Sequence, residues 1–298
     1  QALGPTAATI FTRASGQPMT RGVPGLFTRD GYRNVFDKEL ADFVNLARSD
    51  DARVMGRSYL GDGEKKTLNG AVPGTLREDP LTEAIRREFL NEYRQLWEDF
   101  LGDVRLVSGG GLASDVQVLR LFAAPDSPLS RLARAATRET TLAMTLAPVE
   151  TTFLQKAADQ INQKADKFLG ARASEKVERE LVDNRFAALR EIVTGSADAP
   201  ESASGASPLQ GKSGLDAVGV LLSEFHLSLT LAENALVNNS MPPVTDTAVR
   251  LKMMAQTMPA PLQEVLLQLS GQGSREINHG IGLLLSRQMQ AVIGDACR

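Results

Sequence analysis

Apolar residues recur at helical spacing over most of the chain, and charged residues occupy the positions between them. In the clearest stretch, residues 80–103, Pro80 follows Asp79 and aromatic side chains return every three or four positions. This pattern predicts an amphipathic helix that begins at Pro80 and buries one side. Similar patterns predict helices at residues 30–49, 116–124, 128–146, 150–169, 174–194, 215–237, 246–257, 260–270 and 274–296.

Capping residues predict where several of these helices begin. Asp30 is expected to be the N-cap of the first long helix, because its carboxylate can accept a bond from an orphan N–H of the first turn. The preceding Pro24–Gly25 pair is typical of a turn, and glycine can take the positive φ that a type II turn needs. Ser114 or Asp115 is expected to cap the helix after three glycines, and Ser127 to cap the next one.

Breaker residues predict the non-helical parts. Residues 1–29 lack a helical period, which predicts a short extended segment. Residues 52–79 contain five glycines, and this density of helix-breaking residues predicts a loop or a short hairpin. We expect a mainly α protein, built as helical bundles with a minor extended/β part near the N-terminus. The predicted domains are an N-terminal helical subdomain at 1–197 with a loop-rich part at 1–79, a flexible linker at 198–214, and a C-terminal helical subdomain at 215–298.

Charge and hydropathy exclude two classes of partner. The 33 basic and 36 acidic residues give a net charge of −3 without any cluster of four Lys/Arg, so the pattern of a nucleic-acid binder or of a polybasic membrane-surface segment is missing. No uninterrupted apolar run approaches the ~20 residues that cross a bilayer. Residues 215–237 carry three acidic residues and a histidine, which favours a core helix. The start at Gln1 predicts a fragment or a processed chain.

The motif search predicts no catalytic residue, no cofactor, no metal site and no small-molecule substrate. His226 and His279 are too few for the three or four ligands that a metal needs, and neither HExxH nor CxxC occurs. Cys297 is the only cysteine and is expected to be a small buried side chain. The run SGGGLASD lacks the phosphate-loop pattern, and GDGEKK lacks the alternating oxygens of a calcium loop.

Four stretches of the sequence carry a more specific pattern: VPGLFTRDGYRNVFDKEL, FLNEYRQLWEDFLGDVRL, DVQVLRLFAAPDSPLSRLARAATRETTL and INHGIGLLLSRQMQAVIGDACR. Together they resemble the periplasmic region of the TssM (IcmF-like) subunit of bacterial type VI secretion systems. The resemblance covers most of the chain in the family's order, and residues 23–36 and 115–142 are its most specific parts. Its turn, aromatic residue and DGY-type helix start imply a fixed packing joint at residues 23–36.

The resemblance implies a subunit with an NTPase-like cytoplasmic part, inner-membrane spans and a large periplasmic region. It implies partners: other TssM copies, a TssL-type inner-membrane subunit and a TssJ-type outer-membrane lipoprotein. This chain would be a structural, non-catalytic periplasmic part of an inner-membrane-anchored protein that helps to span the envelope and anchor the secretion apparatus. Family members continue into a β-rich domain that contacts TssJ, whereas this chain stops at Arg298, so no TssJ-contact residue is transferred.

Two other functions remain open at this point. A peptidoglycan-associated binding module or cell-wall enzyme is one, because a periplasmic segment passes through that layer. An adaptor is the other, because loops on rigid helices often carry binding, and residues 194–214 or 56–74 would then recruit the partner.

Overall fold

The computed structural model describes residues 7–40, 42–46, 80–107, 110–124, 126–143, 174–195 and 213–296. These residues are mainly helical and contain a two-stranded antiparallel sheet, so the predicted fold class is confirmed. Several predictions lie outside the described residues: the loop at 52–79, the helix at 150–169, the linker at 198–212 and the environment of Cys297.

The helices are, in chain order, α1 (Ala7–Ile10), α2 (Arg29–Gly31), α3 (Pro80–Asp103), α4 (Gly111–Phe122), α5 (Pro128–Glu139), α6 (Ala187–Thr194), α7 (Gly214–Val237), α8 (Thr247–Gln256) and α9 (Leu262–Ala296). A 3₁₀ helix spans Gly25–Phe27, and two π-helical segments, π1 and π2, span Tyr32–Phe36 and Arg179–Asp183. Residues 37–40, 42–46 and 174–178 are also helical. Strand β1 (Phe11–Arg13) pairs antiparallel with β2 (Val104–Leu106).

The chain forms two compact units, each assembled from separate stretches of sequence. Unit 1 consists of Gln1–Gly22, Glu98–Arg138 and Ala187–Arg298, and unit 2 consists of Val23–Trp97 and Glu139–Phe186. The division predicted from sequence, with its linker at 198–214, stays a prediction, because most of that linker lies outside the described residues.

Helix α7 is the central element of unit 1 and contacts α4, α8 and α9. It is the one described helix that is long and apolar enough to cross a membrane by length and composition alone. A stripe of its side chains is nevertheless buried inside the unit, as the prediction of a core helix requires: Leu215, Val218, Leu221, Leu222, Phe225, Leu229 and Ala232. The sheet is joined to this helical core by Gln268 of α9, whose side chain bonds both the N–H and the C=O of Leu106.

Helix α9 runs without interruption from Leu262 to Ala296, so the prediction of separate helices at 260–270 and 274–296 is wrong. The intervening glycines indicated a break because glycine is a poor helix former. In the structure Gly273 faces α7, where a Cβ atom would lie 2.7 Å from Cζ of Phe225 and 3.1 Å from Cδ1 of Leu229. The glycine therefore permits two helices to approach closely and does not end one.

The predicted helix starts have mixed outcomes. Ser127 is confirmed as the cap of α5, because its Oγ accepts a bond of 3.0 Å from the N–H of Ser130. The prediction that Ser114 or Asp115 caps α4 is wrong, because Gly110 occupies the N-cap and both residues lie inside the helix. Three consecutive glycines predict a break before the helix, but the last of them, Gly111, already belongs to α4.

The start of α7 carries a complete capping box. The Oγ of Ser213 accepts a bond of 3.3 Å from the N–H of Asp216, whose carboxylate accepts one of 2.9 Å from the N–H of Ser213. Ser213→Ala is expected to lower the free energy of unfolding by about 1 kcal/mol, because an orphan N–H loses its acceptor. Urea unfolding followed by circular dichroism measures the change. The control Ser223→Ala, at an exposed position of the same helix, should change it by less than about 0.5 kcal/mol.

One predicted helix ends earlier than its apolar pattern indicates, and another is interrupted. The helix predicted at 128–146 ends at Glu139, and the one predicted at 174–194 is interrupted by a turn at residues 184–186. At the end of the first helix the C=O of Glu139 accepts a hydrogen bond from the Tyr93 hydroxyl, and the N–H groups of Leu142 and Ala143 donate to the carboxylate of Asp183. Backbone groups that would continue the helix are therefore bound to partners distant in sequence.

Candidate functional site

The joint predicted at residues 23–36 folds as a 3₁₀ turn followed by α2 and π1. Its N-cap is Thr28 and not Asp30, because the Thr28 hydroxyl accepts a bond of 3.1 Å from the N–H of Gly31. The predicted type II turn is wrong, since Gly25 has no positive φ. The 3₁₀ turn instead brings the Gly25 carbonyl close to Gly31. A Cβ atom built at Gly31 would lie 2.1 Å from the Gly25 carbonyl oxygen. Only glycine fits at this point of the DGY sequence.

Aromatic rings hold this joint against α3. The rings of Phe27 and Phe36 stack on Phe89 with centroid distances of 4.8 Å and 3.8 Å. The indole N–H of Trp97 donates to the C=O of Phe27 over 2.9 Å. Aromatic pairs at such distances add about 0.5–1.5 kcal/mol each beyond their buried area, so the position of the 3₁₀ turn on α3 is strongly determined.

Four charged side chains and the phenol of Tyr32 meet beside these rings, in what we call the Glu178 cluster: Tyr32, Arg33, Asp37, Arg86 and Glu178. Glu178 precedes π2, and its side chain is fully buried. Arg33 of π1 donates to both of its carboxylate oxygens, over 2.6 Å and 3.0 Å. The hydroxyl of Tyr32 donates to the same carboxylate over 2.7 Å. The carboxylate is thus held by a bidentate guanidinium and a phenol.

Arg86 of α3 completes the cluster from the other side. Its Nη1 donates to the Tyr32 hydroxyl over 2.8 Å and to Oδ1 of Asp37 over 2.6 Å. In the amphipathic pattern of residues 80–103 Arg86 falls among the charged residues, which predicts an exposed position, but only 4% of its surface is exposed. Two guanidinium groups face two carboxylates, and this balance offsets the large cost of removing charges from water.

Burial also decides the protonation of the cluster. Burial raises the pKa of Glu178 above its ordinary value, and the charge of Arg33 opposes that rise. Burial and then the charge of Glu178 raise the pKa of Tyr32, so this phenol keeps its proton and acts as a donor. Both Glu178 oxygens already accept bonds from protein groups. The arrangement is therefore suited to holding segments together.

The cluster fixes the chain segment that follows α5. The carboxylate of Asp183, at the end of π2, accepts bonds from the N–H groups of Leu142 and Ala143 over 2.8 Å and 3.1 Å. The C=O of Leu142 accepts a bond from Arg33 of π1. Both π-helical segments thus bind the same dipeptide. Single-turn π segments are frequent at functional positions because they reorient side chains within a helix.

The residues singled out from sequence do not converge on a second site. His226 is half-buried on α7, and His279 is exposed on α9. Within the described ranges no group of three or more His, Cys, Asp or Glu side chains is placed to hold a metal ion. The prediction of no site residues stays a prediction. Sequence analysis missed the Glu178 cluster, because its members are far apart in sequence and the π segments break the 3.6-residue period.

Asp115 is a second ionisable group with an unusual environment, inside unit 1. Its Oδ2 is buried and accepts no hydrogen bond in the described part of the chain. Burial, and then the charge of Glu276, raise the pKa of Asp115 from an ordinary value of 3.8 to about 6, while Arg275 opposes the rise. The folded state therefore binds this proton more tightly than the unfolded state does.

This raised pKa makes stability depend on pH. Between about pH 4 and pH 6 the folded state holds a proton that the unfolded state has lost, so the contribution of Asp115 to stability falls as pH rises. Asp115→Asn is expected to unfold at a higher temperature than the wild type at pH 7.5, with the difference shrinking towards pH 4. Thermal unfolding across this range tests it. Asp126→Asn, at an exposed position, serves as the control and should not change the profile.

The fold and the Glu178 cluster define a mainly α protein in which a buried ion network fixes the geometry of a joint. The family model described as "IcmF-related: Intracellular multiplication and human macrophage-killing" matches residues 1–141. The Type VI secretion system component TssM1 of Pseudomonas aeruginosa strain PAO1 is 25% identical over 273 residues. No solved structure matches the chain.

Both matches support the resemblance of this sequence to the TssM/IcmF-like family. The alignment with TssM1 covers 88% of this chain but 23% of that protein, so the chain spans about a quarter of the relative's length. The family-model match ends at residue 141, and it includes the joint and α3 but not Glu178.

Proposed function

We propose that this chain is a structural, non-catalytic periplasmic part of a TssM-type subunit in a type VI secretion membrane complex. The observation that carries the proposal is the alignment with TssM1 over 88% of the chain. In this role the chain helps to span the envelope and anchor the secretion apparatus. Its partners are other copies of the subunit, a TssL-type inner-membrane subunit and a TssJ-type outer-membrane lipoprotein, the last mainly through a β-rich domain outside residues 1–298.

The Glu178 cluster supports a mechanical role for unit 2. A segment that carries position between membranes needs joints that keep one geometry. A buried ion network favours one arrangement, because another arrangement leaves a charge unpaired away from water. The stacked rings on Phe89 add packing that resists bending at the same point.

The location is tested with cysteine variants of the full-length protein in intact cells. A single cysteine placed at exposed Met253 or Met289 is expected to react with a membrane-impermeant maleimide once the outer membrane is permeabilised. Labelling that also requires rupture of the inner membrane would contradict the periplasmic assignment. The background from Cys297 is removed by Cys297→Ser.

Membership of the complex is tested separately by purification through a tag on the full-length protein. The TssL-type and TssJ-type subunits are expected to copurify, and deletion of residues 1–298 should reduce the yield of the complex. An unchanged complex, with unchanged secretion, would refute the structural role.

A further inference from the structure

The two-stranded sheet of unit 1 joins the first described residues of the chain to the strand that follows α3. Strand β1 pairs antiparallel with β2, and Phe11 stands opposite Leu106. Beyond the strands, the N–H of Val107 donates to the C=O of Ile10 over 2.9 Å. The ring of Phe11 is 1% exposed and stacks on Phe122 of α4 at a centroid distance of 5.8 Å. Strand β1 is therefore fixed both along its backbone and by a buried side chain.

Asp103, the residue before β2, holds the other end of β1. Its carboxylate accepts bonds from Nε of Arg13 over 2.6 Å, from the N–H of Ser15 over 2.7 Å and from Oγ of Ser15 over 2.5 Å. Its C=O accepts a bond of 2.8 Å from the N–H of Ala14. Bonds from a guanidinium to a carboxylate are roughly twice as strong as bonds between neutral groups. One residue thus ties the end of β1 to the start of β2.

A single side chain of α9 bonds the opposite edge of β2. Oε1 of Gln268 accepts a bond of 2.8 Å from the N–H of Leu106, and Nε2 of Gln268 donates to the C=O of Leu106 over 2.9 Å. The amide satisfies both backbone groups, as a third strand would. Leu106 is 3% exposed, so water does not readily replace these two bonds.

Strand β1, Asp103, strand β2 and Gln268 form what we call the clasp. Its contacts run without a gap from β1 to α9, and every member belongs to unit 1. The two stretches that form unit 2 are joined covalently to unit 1 at each of their ends. Tension between the first residues of the chain and α9 therefore reaches unit 2 only after β1 has left β2.

We propose that the clasp carries tension through unit 1 and keeps it off the joint in unit 2. This inference rests on the proposed function, because a part of an anchor that spans the envelope is pulled through its two ends. A joint that must keep one geometry is protected when another part of the fold bears the pull. The bonds of the clasp, and Gln268 in particular, then decide how long the chain resists.

The experiment holds the chain at constant force between a handle before residue 1 and a cysteine at exposed Asn278, in a Cys297→Ser background. The first step is expected to be short, about 4 nm, because it frees only Phe11–Gly22 before the pull reaches unit 2. Unfolding of Val23–Trp97 releases about 25 nm, so the two steps are easily told apart. Steps of the longer kind are expected only after the short one.

Substitutions at Gln268 test which contact sets the rate of the short step. Gln268→Leu should raise this rate by roughly tenfold at a given force, because two hydrogen bonds are lost and the buried N–H and C=O of Leu106 keep no partner from α9. The matched control is Gln263→Leu. Gln263 also lies on α9 and donates to a backbone C=O, that of Gln256 over 3.5 Å, but it is outside the clasp and should leave the rate unchanged.

Gln268→Glu separates the bonds from the general packing of the side chain. At pH 7.5 the carboxylate accepts the N–H of Leu106 but has no proton for its C=O, so the short step should be faster than in the wild type. At pH 4 the protonated carboxyl group both accepts and donates, as the amide does, and the rate should return towards that of the wild type at the same pH. Gln268→Leu should show no such return. Circular dichroism at 222 nm checks that each variant is folded.

The clasp is overturned if a 25 nm step precedes the short one, if Gln268→Leu and Gln263→Leu open at the same rate, or if Gln268→Glu stays fast at pH 4. These measurements need only the chain itself, whereas the proposed function is judged by copurification of the full-length protein. A complex that forms with a clasp that does not bear tension would refute this inference alone. A wild-type protein that joins no complex would refute the proposed function and leave the order of the steps as it is.

Discussion

Glu178→Leu is expected to lower the free energy of unfolding of unit 2 by about 3 kcal/mol. The substitution removes the carboxylate that pairs with the Arg33 guanidinium and accepts the bond from the Tyr32 hydroxyl, and it leaves Arg33 with its bond to the C=O of Leu142. The cost of breaking a buried ion pair is commonly about 3–5 kcal/mol. We expect the lower end, because 22% of the Arg33 side chain is exposed and water can solvate part of the released charge.

Trp97 provides the measurement for this prediction. It is the only tryptophan of the chain and belongs to unit 2, where it contacts the joint through its bond to Phe27. Its fluorescence during urea unfolding therefore reports on the unit that contains Glu178. The matched control is Glu180→Leu, because Glu180 is 54% exposed and lies 3.7 Å from Arg87. An exposed pair of this kind contributes less than about 1 kcal/mol.

A double-mutant cycle separates the ion pair from general damage to the core. Arg33→Leu removes the other partner, and the double variant Arg33→Leu with Glu178→Leu leaves no unpaired charge between them. We expect the double variant to lose clearly less stability than the sum of the single losses. Additive losses, or equal effects of Glu178→Leu and Glu180→Leu, would show that the cluster does not act as a unit.

Gly273→Leu is expected to lower the free energy of unfolding by about 3 kcal/mol. The new side chain would collide with Phe225 and Leu229, which are 1% and 0% exposed and cannot turn into solvent. Helices α7 and α9 would have to separate, and the core of unit 1 would lose packing along both. Overpacking of a core by such a change typically costs about 1–3 kcal/mol.

Gly282→Leu is the matched control for this helix. A Cβ atom at Gly282 meets nothing within 4 Å, so the substitution only replaces a poor helix former with a good one. It should raise stability by roughly 0.5–1 kcal/mol. Urea unfolding followed at 222 nm compares the two variants. If Gly273→Leu were as stable as Gly282→Leu, the close approach of α7 and α9 would not exist in solution.

Together these variants examine two ways in which the chain holds a fixed geometry. Unit 2 uses a buried ion network beside stacked rings, and unit 1 uses close helix packing over a glycine. In both units the contact joins residues that are far apart in sequence. Each contact depends on one residue, Glu178 or Gly273, so a single substitution there is expected to disrupt it. Such contacts suit the proposed structural role, because they admit one arrangement of the segments that they join.

The sequence by itself determined the elements whose signals are local. Pro80 and Ser127–Pro128 start helices as predicted, and the apolar pattern at 215–237 corresponds to α7. Caps and periodicity act within one or two turns, so a short stretch contains all the information that they need. The family resemblance likewise depends on short stretches, and the comparisons support it at the level of the family.

Tertiary structure alone decided the features that depend on distant partners. Arg33 and Glu178 are 145 positions apart, and Arg86 appears on a charged face until its neighbours are known. Strand β2 follows α3 directly and forms because β1 lies opposite it. Gly273 indicates a helix break until Phe225 is placed against it. The pairing of charges, the register of strands and the distance between helices depend on which surfaces meet in the folded protein. No local pattern in the sequence contains that information.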